Sequence, residues 1–129
     1  REDVIERAQT LTGGIGVDYA FECVGRVEAM ELAYAITRRG GTTVTSGLSH
    51  PEHKMQISHV NMVVEERTIK GSYLGSCVPE RDIPHYIELF QHGKLPVDAL
   101  VSSKITLDDI NEGFDALANG EVVRQIITF

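Results

Sequence analysis

The sequence predicts an α/β fold with parallel strands, on three observations. Segments of helical and strand-like period alternate along the chain. Glycines punctuate most of the changes. One strand, helix and strand together fit within about thirty residues, the length a parallel crossover needs.

The elements follow in order. Val4, Ile5, Ala8 and Leu11 share one face of a 3.6-residue period and Gly13-Gly14 follow as a stop signal, so the chain opens on a short amphipathic helix. Val17 to Val24 is rich in β-formers and flanked by glycines, which reads as a strand. Val27, Met30, Ala33, Tyr34 and Thr37 then repeat at helical spacing, with Glu28 and Glu31 near the positive end, Arg38-Arg39 near the negative end and Gly40 as the stop. Gly41 to Leu48 reads as the second strand, 50–59 as a polar loop, Val60, Val63 and Val64 as a helical turn, and Thr68 to Leu74 as the third strand.

Beyond it, Ile83, Tyr86, Ile87 and Phe90 form the stripe of a helix, with Pro84 assigned to the first turn and Gly93 to the cap. Leu100 to Ser103 reads as a short strand. Thr106 and Asp109 resemble a capping box for a helix carrying Ile110, Phe114 and Leu117 up to Gly120, and Val122 to Phe129 alternates as a closing strand.

Composition narrows the function. The 129 residues make one domain of ordinary size or a piece of a longer chain, and exclude two full domains. With 42% hydrophobic and 24% charged residues the chain can bury a core. Twelve Lys and Arg against 19 Asp and Glu give a net charge of -7, the wrong sign for a nucleic-acid surface. No segment approaches the roughly 20 apolar residues of a membrane span. Cys23 and Cys77 are the only cysteines, which reads as reduced thiols and a cytoplasmic address. Because Arg1 opens directly on a helical pattern, the expectation is a cut from a longer polypeptide.

Parallel α/β sheets bind ligands beyond the carboxyl ends of their strands, which singles out Val24-Gly25, Ser46-Gly47-Leu48 and Ser72-Tyr73-Leu74-Gly75. These glycines either line a ligand crevice or only make turns. Gly13-Gly14-Ile15-Gly16 follows a helix and precedes a strand, the reverse of what a phosphate loop requires. His50, His53 and His59 with Glu52 match no standard zinc spacing and read as a solvated loop. Cys23 reads as a small core residue, and Cys77 has no histidine paired with it in sequence. Asp18 and Glu22 share a strand face, either as an acid and base pair or, more in keeping with such residues, as groups that flank a sheet edge or hydrogen-bond a neighbouring loop. Arg124 fits bidentate phosphate binding or a surface ion pair equally well.

The run I-N-E-G-F-D-A-L-A-N-G-E-V-V-R-Q-I-I-T-F, the segment E-R-T-I-K-G-S-Y-L-G-S, and G-V-D-Y-A-F-E-C-V-G with R-G-G-T-T-V-T-S-G-L together resemble the zinc-dependent medium-chain alcohol dehydrogenases. The likeness runs through essentially the whole chain in order. It implies a partial Rossmann fold, a doubly wound parallel sheet of which three parallel strands are present, with an appended C-terminal helix and strand. Residues 1–75 would be the second half of the NAD-binding domain, and 76–129 the segment returning to the catalytic domain. The resemblance places Cys23, Val24, Gly25 and Arg26 near the adenosine side of NAD and Ser46, Gly47 and Leu48 against the nicotinamide. It places Ser72, Tyr73 and Leu74 at the carboxamide and Arg124 at the pyrophosphate.

The G-x-G-x-x-G turn, the ribose-binding acid, the zinc ligands and the proton-relay residues have no counterparts in this sequence. The implied function is the cofactor-binding portion of an NAD-dependent enzyme that moves hydride between a small alcohol or aldehyde and NAD, inactive alone, with zinc held elsewhere in the full-length enzyme. A homodimer or larger homo-oligomer is expected, without nucleic-acid or membrane partners. Two alternatives stay open: a non-catalytic nucleotide-binding or assembly module of the same fold, and part of a zinc-free NADPH quinone reductase.

Overall fold

The computed structural model describes residues 3–129; Arg1, on which the chain opens, lies outside the described residues. The chain divides into two compact units, Arg1–Cys77 and Val78–Phe129.

The first unit opens with α1 (Val4–Leu11), whose free N–H groups at Ile5 and Glu6 donate to the Asp3 carboxylate at 2.9 and 3.3 Å. At its other end the Thr12 hydroxyl donates to Ala8 O at 2.7 Å and accepts Gly16 N–H at 2.9 Å, closing the turn into β1. Strands β1 (Val17–Glu22), β2 (Thr37–Thr45) and β3 (Thr68–Gly71) form a parallel sheet in the order β1-β2-β3. Helix α2 (Val27–Ile36) connects the first two strands and α3 (His59–Val64) the second two. The expected α/β architecture with three parallel strands is therefore present.

Several boundaries differ from the sequence reading. Helix α2 stops at Ile36, and Thr37 already pairs with Val17, so Arg38, Arg39 and Gly40 belong to β2 and not to the last helical turn. Pairing resumes at Tyr19 with Thr42, which leaves an irregular stretch in β2 that Arg38 ties to Asp18 at 2.6 Å. Strand β2 ends at Thr45, short of Leu48, and β3 at Gly71, short of Leu74, because the ladder ends with the row Glu22, Thr45 and Gly71. Tyr73 and Leu74 lie in a short 3₁₀ turn, Tyr73–Ser76.

The core of this unit is small. Helix α2 packs on β1 and β2, burying Ala20, Met30, Ala33 and Tyr34, and burial of one such large side chain is worth about 2 kcal/mol. Arg67 lies over the Tyr34 ring, 4.8 Å from its centroid, donates to the Tyr34 carbonyl and pairs with Glu65 at 2.7 Å. The other face of β1 carries Tyr19 and Phe21, 66% and 68% exposed.

The second unit contains α4 (Pro79–Gln91), β4 (Ser103–Ile105), α5 (Ile110–Ala118) and β5 (Gln125–Ile127), with β4 and β5 paired in parallel. Pro84 sits inside α4 and not in its first turn; Pro79 holds the first helical position. The helix start is tied down by Asp82, which accepts Val78 N–H at 2.7 Å. The Arg81 side-chain hydrogen bond and that backbone bond together lower the Asp82 carboxyl to about 2. The strand expected over Leu100 to Ser103 is displaced to Ser103–Ile105, since Leu100 belongs to the 3₁₀ turn Val97–Leu100. The closing strand is three residues long instead of eight, because only Gln125, Ile126 and Ile127 find partners on β4. Half of the capping box forms: Asp109 accepts the Thr106 hydroxyl at 2.7 Å and Thr106 N–H at 3.3 Å, while Asp109 itself stands at the N-cap.

Under α2, the hydroxyls of Thr37 and Thr43 lie 2.8 Å apart at 1% and 0% exposure. Thr37 donates its proton to Ala33 O at 2.8 Å, so the Thr43 hydroxyl is the donor between the two. Thr37→Val strands that donor and is expected to cost about 1–3 kcal/mol in urea unfolding, whereas Thr37→Val with Thr43→Val should recover most of the loss. Equal losses that simply add would contradict this pairing.

Candidate functional site

The three strands end in one row, and the segments leaving β1 and β2 are both held by one residue of it. Glu22, the last residue of β1, is 4% exposed. Its Oε1 accepts Val24 N–H at 2.7 Å and Gly25 N–H at 2.6 Å, and its Oε2 accepts the Thr45 hydroxyl at 2.8 Å. Its backbone carbonyl accepts Ser46 N–H at 2.9 Å and Gly47 N–H at 3.4 Å. Desolvation works to raise the pKa of this carboxyl, but the hydrogen bonds from Thr45, Gly25, Val24 and Arg26 outweigh it and lower the pKa, so Glu22 is an anion at neutral pH.

Two glycines let the loops approach this closely. Gly25 has φ +82, a conformation that favours glycine, and a Cβ there would lie 2.5 Å from Leu48 O. A Cβ on Gly47 would lie 2.1 Å from Gly25 N and 2.8 Å from Glu22 Oε2. The backbones of 24–26 and 46–48 are therefore in direct contact.

Clefts open on both sides of the contact. One, of about 360 Å³, is lined by Gly25, Arg26, Gly47 and Leu48, with His50 and His53 at 5.3 Å between ring centroids. The other, of about 390 Å³, lies beyond β2 and β3 and is lined by Ser46, Gly47, Leu48, Ser72 and Tyr73. Ser72 N–H extends the pairing by donating to Thr45 O at 2.8 Å. After it, Leu74 (φ 49), Gly75 (φ 69) and Ser76 (φ 58) are consecutive left-handed residues, a strain of the order of 1 kcal/mol or more for each non-glycine.

The structure thus gathers Gly25, Arg26, Ser46, Gly47, Leu48, Ser72 and Tyr73 around two adjoining clefts, with Val24 and Leu74 beside them at 72% and 65% exposure. Arg124 lies in the second unit, where it lines a separate cleft of about 290 Å³ with Ile105, Phe114 and Val123. Asp18 and Glu22 form no acid and base pair: Asp18 is exposed and bound to Arg38, while Glu22 is enclosed. Cys23 is exposed rather than in the core, and its sulfur accepts the Ser46 hydroxyl at 3.3 Å. Among the described residues no cluster of three or more His, Cys, Asp or Glu could hold a metal, so the residues present do not fit a zinc site and no chemical step is assigned to one. Among them, too, no helix is long and apolar enough to cross a membrane.

The sequence locates the strand ends and leaves Glu22 open to hydrogen-bonding a neighbouring loop, which the structure shows; it does not single out Glu22 as the one residue that reaches both segments. Part of the signal was available: an acid on the inward face of the last strand row, three residues before a glycine, has the backbone N–H groups of its own turn within reach, whereas the Thr45 hydroxyl comes from another strand.

A family model described as zinc-binding dehydrogenase matches residues 1–92. The putative alcohol dehydrogenase D of Mycobacterium tuberculosis is 36% identical over 124 residues, covering 94% of this chain and 34% of that protein. Alcohol dehydrogenase 1 of Zea mays is 34% identical over 118 residues, covering 91% of this chain and 31% of that protein. Among solved structures, the 2R,3R-butanediol dehydrogenase from Bacillus subtilis is 34% identical with a TM-score of 0.75, covering 100% of this chain and 36% of that one. The benzyl alcohol dehydrogenase from Acinetobacter calcoaceticus is 26% identical with a TM-score of 0.87, covering 98% and 34%. The chain thus spans about a third of the length of the relatives it matches.

Two outcomes follow from the loop contact. Gly47→Ala must push two backbones apart and is expected to destabilise the chain by about 1–3 kcal/mol in urea unfolding. Because the folded pKa of Glu22 is lowered, its contribution is complete above the ordinary glutamate value of about 4.3 and is lost as the pH falls through the folded value. The stability difference between wild type and Glu22→Gln should therefore shrink on acidification below about pH 4. A difference that stays constant from neutral pH to acid would show that the charge contributes nothing.

Proposed function

The chain belongs to the zinc-binding dehydrogenase family, and on that premise we propose that it is the cofactor-binding portion of an NAD-dependent alcohol dehydrogenase. The observation that carries the reading is the pair of side-chain-free backbones at Gly25 and Gly47, packed together at the carboxyl ends of parallel strands with a cleft on either side. A flat nicotinamide or adenine ring needs backbone to come close without intervening Cβ atoms, and this is where a parallel sheet offers that surface.

In this reading residues 1–75 are the second half of a dinucleotide-binding domain and 76–129 the return to a catalytic domain. Val24, Gly25 and Arg26 meet the adenosine side. Ser46, Gly47 and Leu48 lie against the nicotinamide, and Ser72, Tyr73 and Leu74 meet its carboxamide. The N–H groups of Val24 and Gly25 are already taken by the Glu22 carboxylate, so that strand end repels a phosphate and suits a neutral ring or ribose. The pyrophosphate charge is left to Arg124, a residue of the second unit suited to bidentate contact.

Bound NAD supplies one chemical capacity, acceptance of the hydride from the alcohol carbon as the hydroxyl proton is released and the carbonyl forms. The chain's own residues bind and orient. They hold the ring face, exclude water behind it, and contribute no acid, base or metal ligand to the reacting atoms. The substrate is a small alcohol or aldehyde, turnover belongs to a longer polypeptide, and the active assembly is a homodimer or larger homo-oligomer.

The test is NADH titration by nicotinamide fluorescence, with turnover of a small alcohol panel, on the longest polypeptide the source gene encodes. NADH binding is expected. Arg124→Gln should weaken it about ten- to a hundredfold, the loss of one charged bidentate contact. Binding of NADPH alone, with quinone reduction, would replace this reading, and failure to bind any dinucleotide would leave an assembly module.

A further inference from the structure

Glu22 sits behind both loops assigned above to the cofactor, and its atoms reach each of them. Its two carboxylate oxygens hold Val24 N–H, Gly25 N–H and the Thr45 hydroxyl, while its carbonyl holds Ser46 N–H. We propose that Glu22 is a positioning residue of the cofactor site, whose carboxylate sets the spacing of loops 24–26 and 46–48. The proposal rests on the reading that those loops hold NAD.

Val24 N–H, Gly25 N–H and the Thr45 hydroxyl donate to the side chain, with the Arg26 backbone beside them, so both of its oxygens act as acceptors. A carboxylate fills that role with both oxygens, whereas a glutamine amide has one acceptor oxygen and turns two N–H groups toward Thr45 and Gly47. Little room is left beside Gly47 to absorb the mismatch, because even an added Cβ there would lie 2.1 Å from Gly25 N and 2.8 Å from Oε2. The loops therefore move when the charge is removed, and a binding surface displaced by about half an ångström loses affinity. Since the loops contact the cofactor alike before and during hydride transfer, the loss should fall on cofactor KM and leave kcat nearly intact. A merely structural role would lower the melting temperature and leave cofactor affinity where it was.

The experiment measures NADH affinity, cofactor KM, kcat and melting temperature of the full-length protein and three variants. Glu22→Gln is expected to bind NADH about tenfold more weakly, to raise cofactor KM by the same factor and to hold kcat within about twofold. Thr45→Val, which removes one arm of the clamp, should shift affinity in the same direction by less, and Thr45→Ser, which restores the hydroxyl, should return it to the wild-type value. If Glu22→Gln does not fold, the Thr45 pair decides. Wild-type NADH binding with unaltered affinity in the folded variants overturns the positioning role alone. A wild-type protein that binds no NADH overturns the cofactor reading and the positioning role with it.

Discussion

The carboxyl ends of β1 and β2 are organised by a buried anion, the Glu22 carboxylate, which gathers N–H donors from the loop leaving β1 and the hydroxyl of Thr45 at the end of β2. Burial alone would drive this group toward its neutral form, and only the converging donors keep it charged. The dependence runs in both directions. The loops need the anion to satisfy N–H groups that no strand partner reaches, and the anion needs the loops to offset its desolvation. Gly25 and Gly47 are the geometric condition for this exchange, since any Cβ at either position would occupy the space in which the two backbones meet.

From that joint outward, the architecture is simple and sparsely covered. Helix α2 buries one face of the sheet on Ala20, Met30, Ala33 and Tyr34, and the buried Thr37 and Thr43 hydroxyls complete each other beneath it. Few large apolar side chains are enclosed, while Tyr19 and Phe21 stand exposed on the other face of β1. The specificity of the unit lies more in satisfied polar groups than in the volume of its core.

Much of the architecture was legible in local residue patterns. The apolar stripe Val4, Ile5, Ala8 and Leu11 placed α1, and the β-branched runs between glycines placed the strands. The strand ends at Val24-Gly25, Ser46-Gly47-Leu48 and Ser72-Tyr73-Leu74-Gly75 were legible because glycine and serine mark where a strand breaks, and Arg26 was added by the family resemblance. Element ends were less legible. Arg38 and Arg39 complement a helix C-terminus by charge, yet pairing of Thr37 with Val17 captures them for β2, and ladder bonds outweigh a macrodipole term of a few tenths of a kcal/mol. Similarly, Tyr73 and Leu74 have strand propensity, but their row has no partner beyond Glu22 and Thr45, so the chain turns.

The sequence by itself determined the alternation of helices and parallel strands, the family to which the chain belongs, and the strand ends around which the clefts open. These are carried by periodicity, by glycine placement and by ordered runs of residues, all of which survive without knowledge of contacts. Only the tertiary structure decided that Asp18 and Glu22 part company, one to an exposed pair with Arg38 and the other into a closed clamp. The same holds for Cys23, which lies open beside Ser46 instead of in the core. Alternation fixes the face on which a strand residue stands, but the partners that wait there include Arg38 for Asp18, Thr45 for Glu22 and Ser46 for Cys23, all contributed by the neighbouring strand and its end, and hydrogen bonds of that range leave no periodic trace.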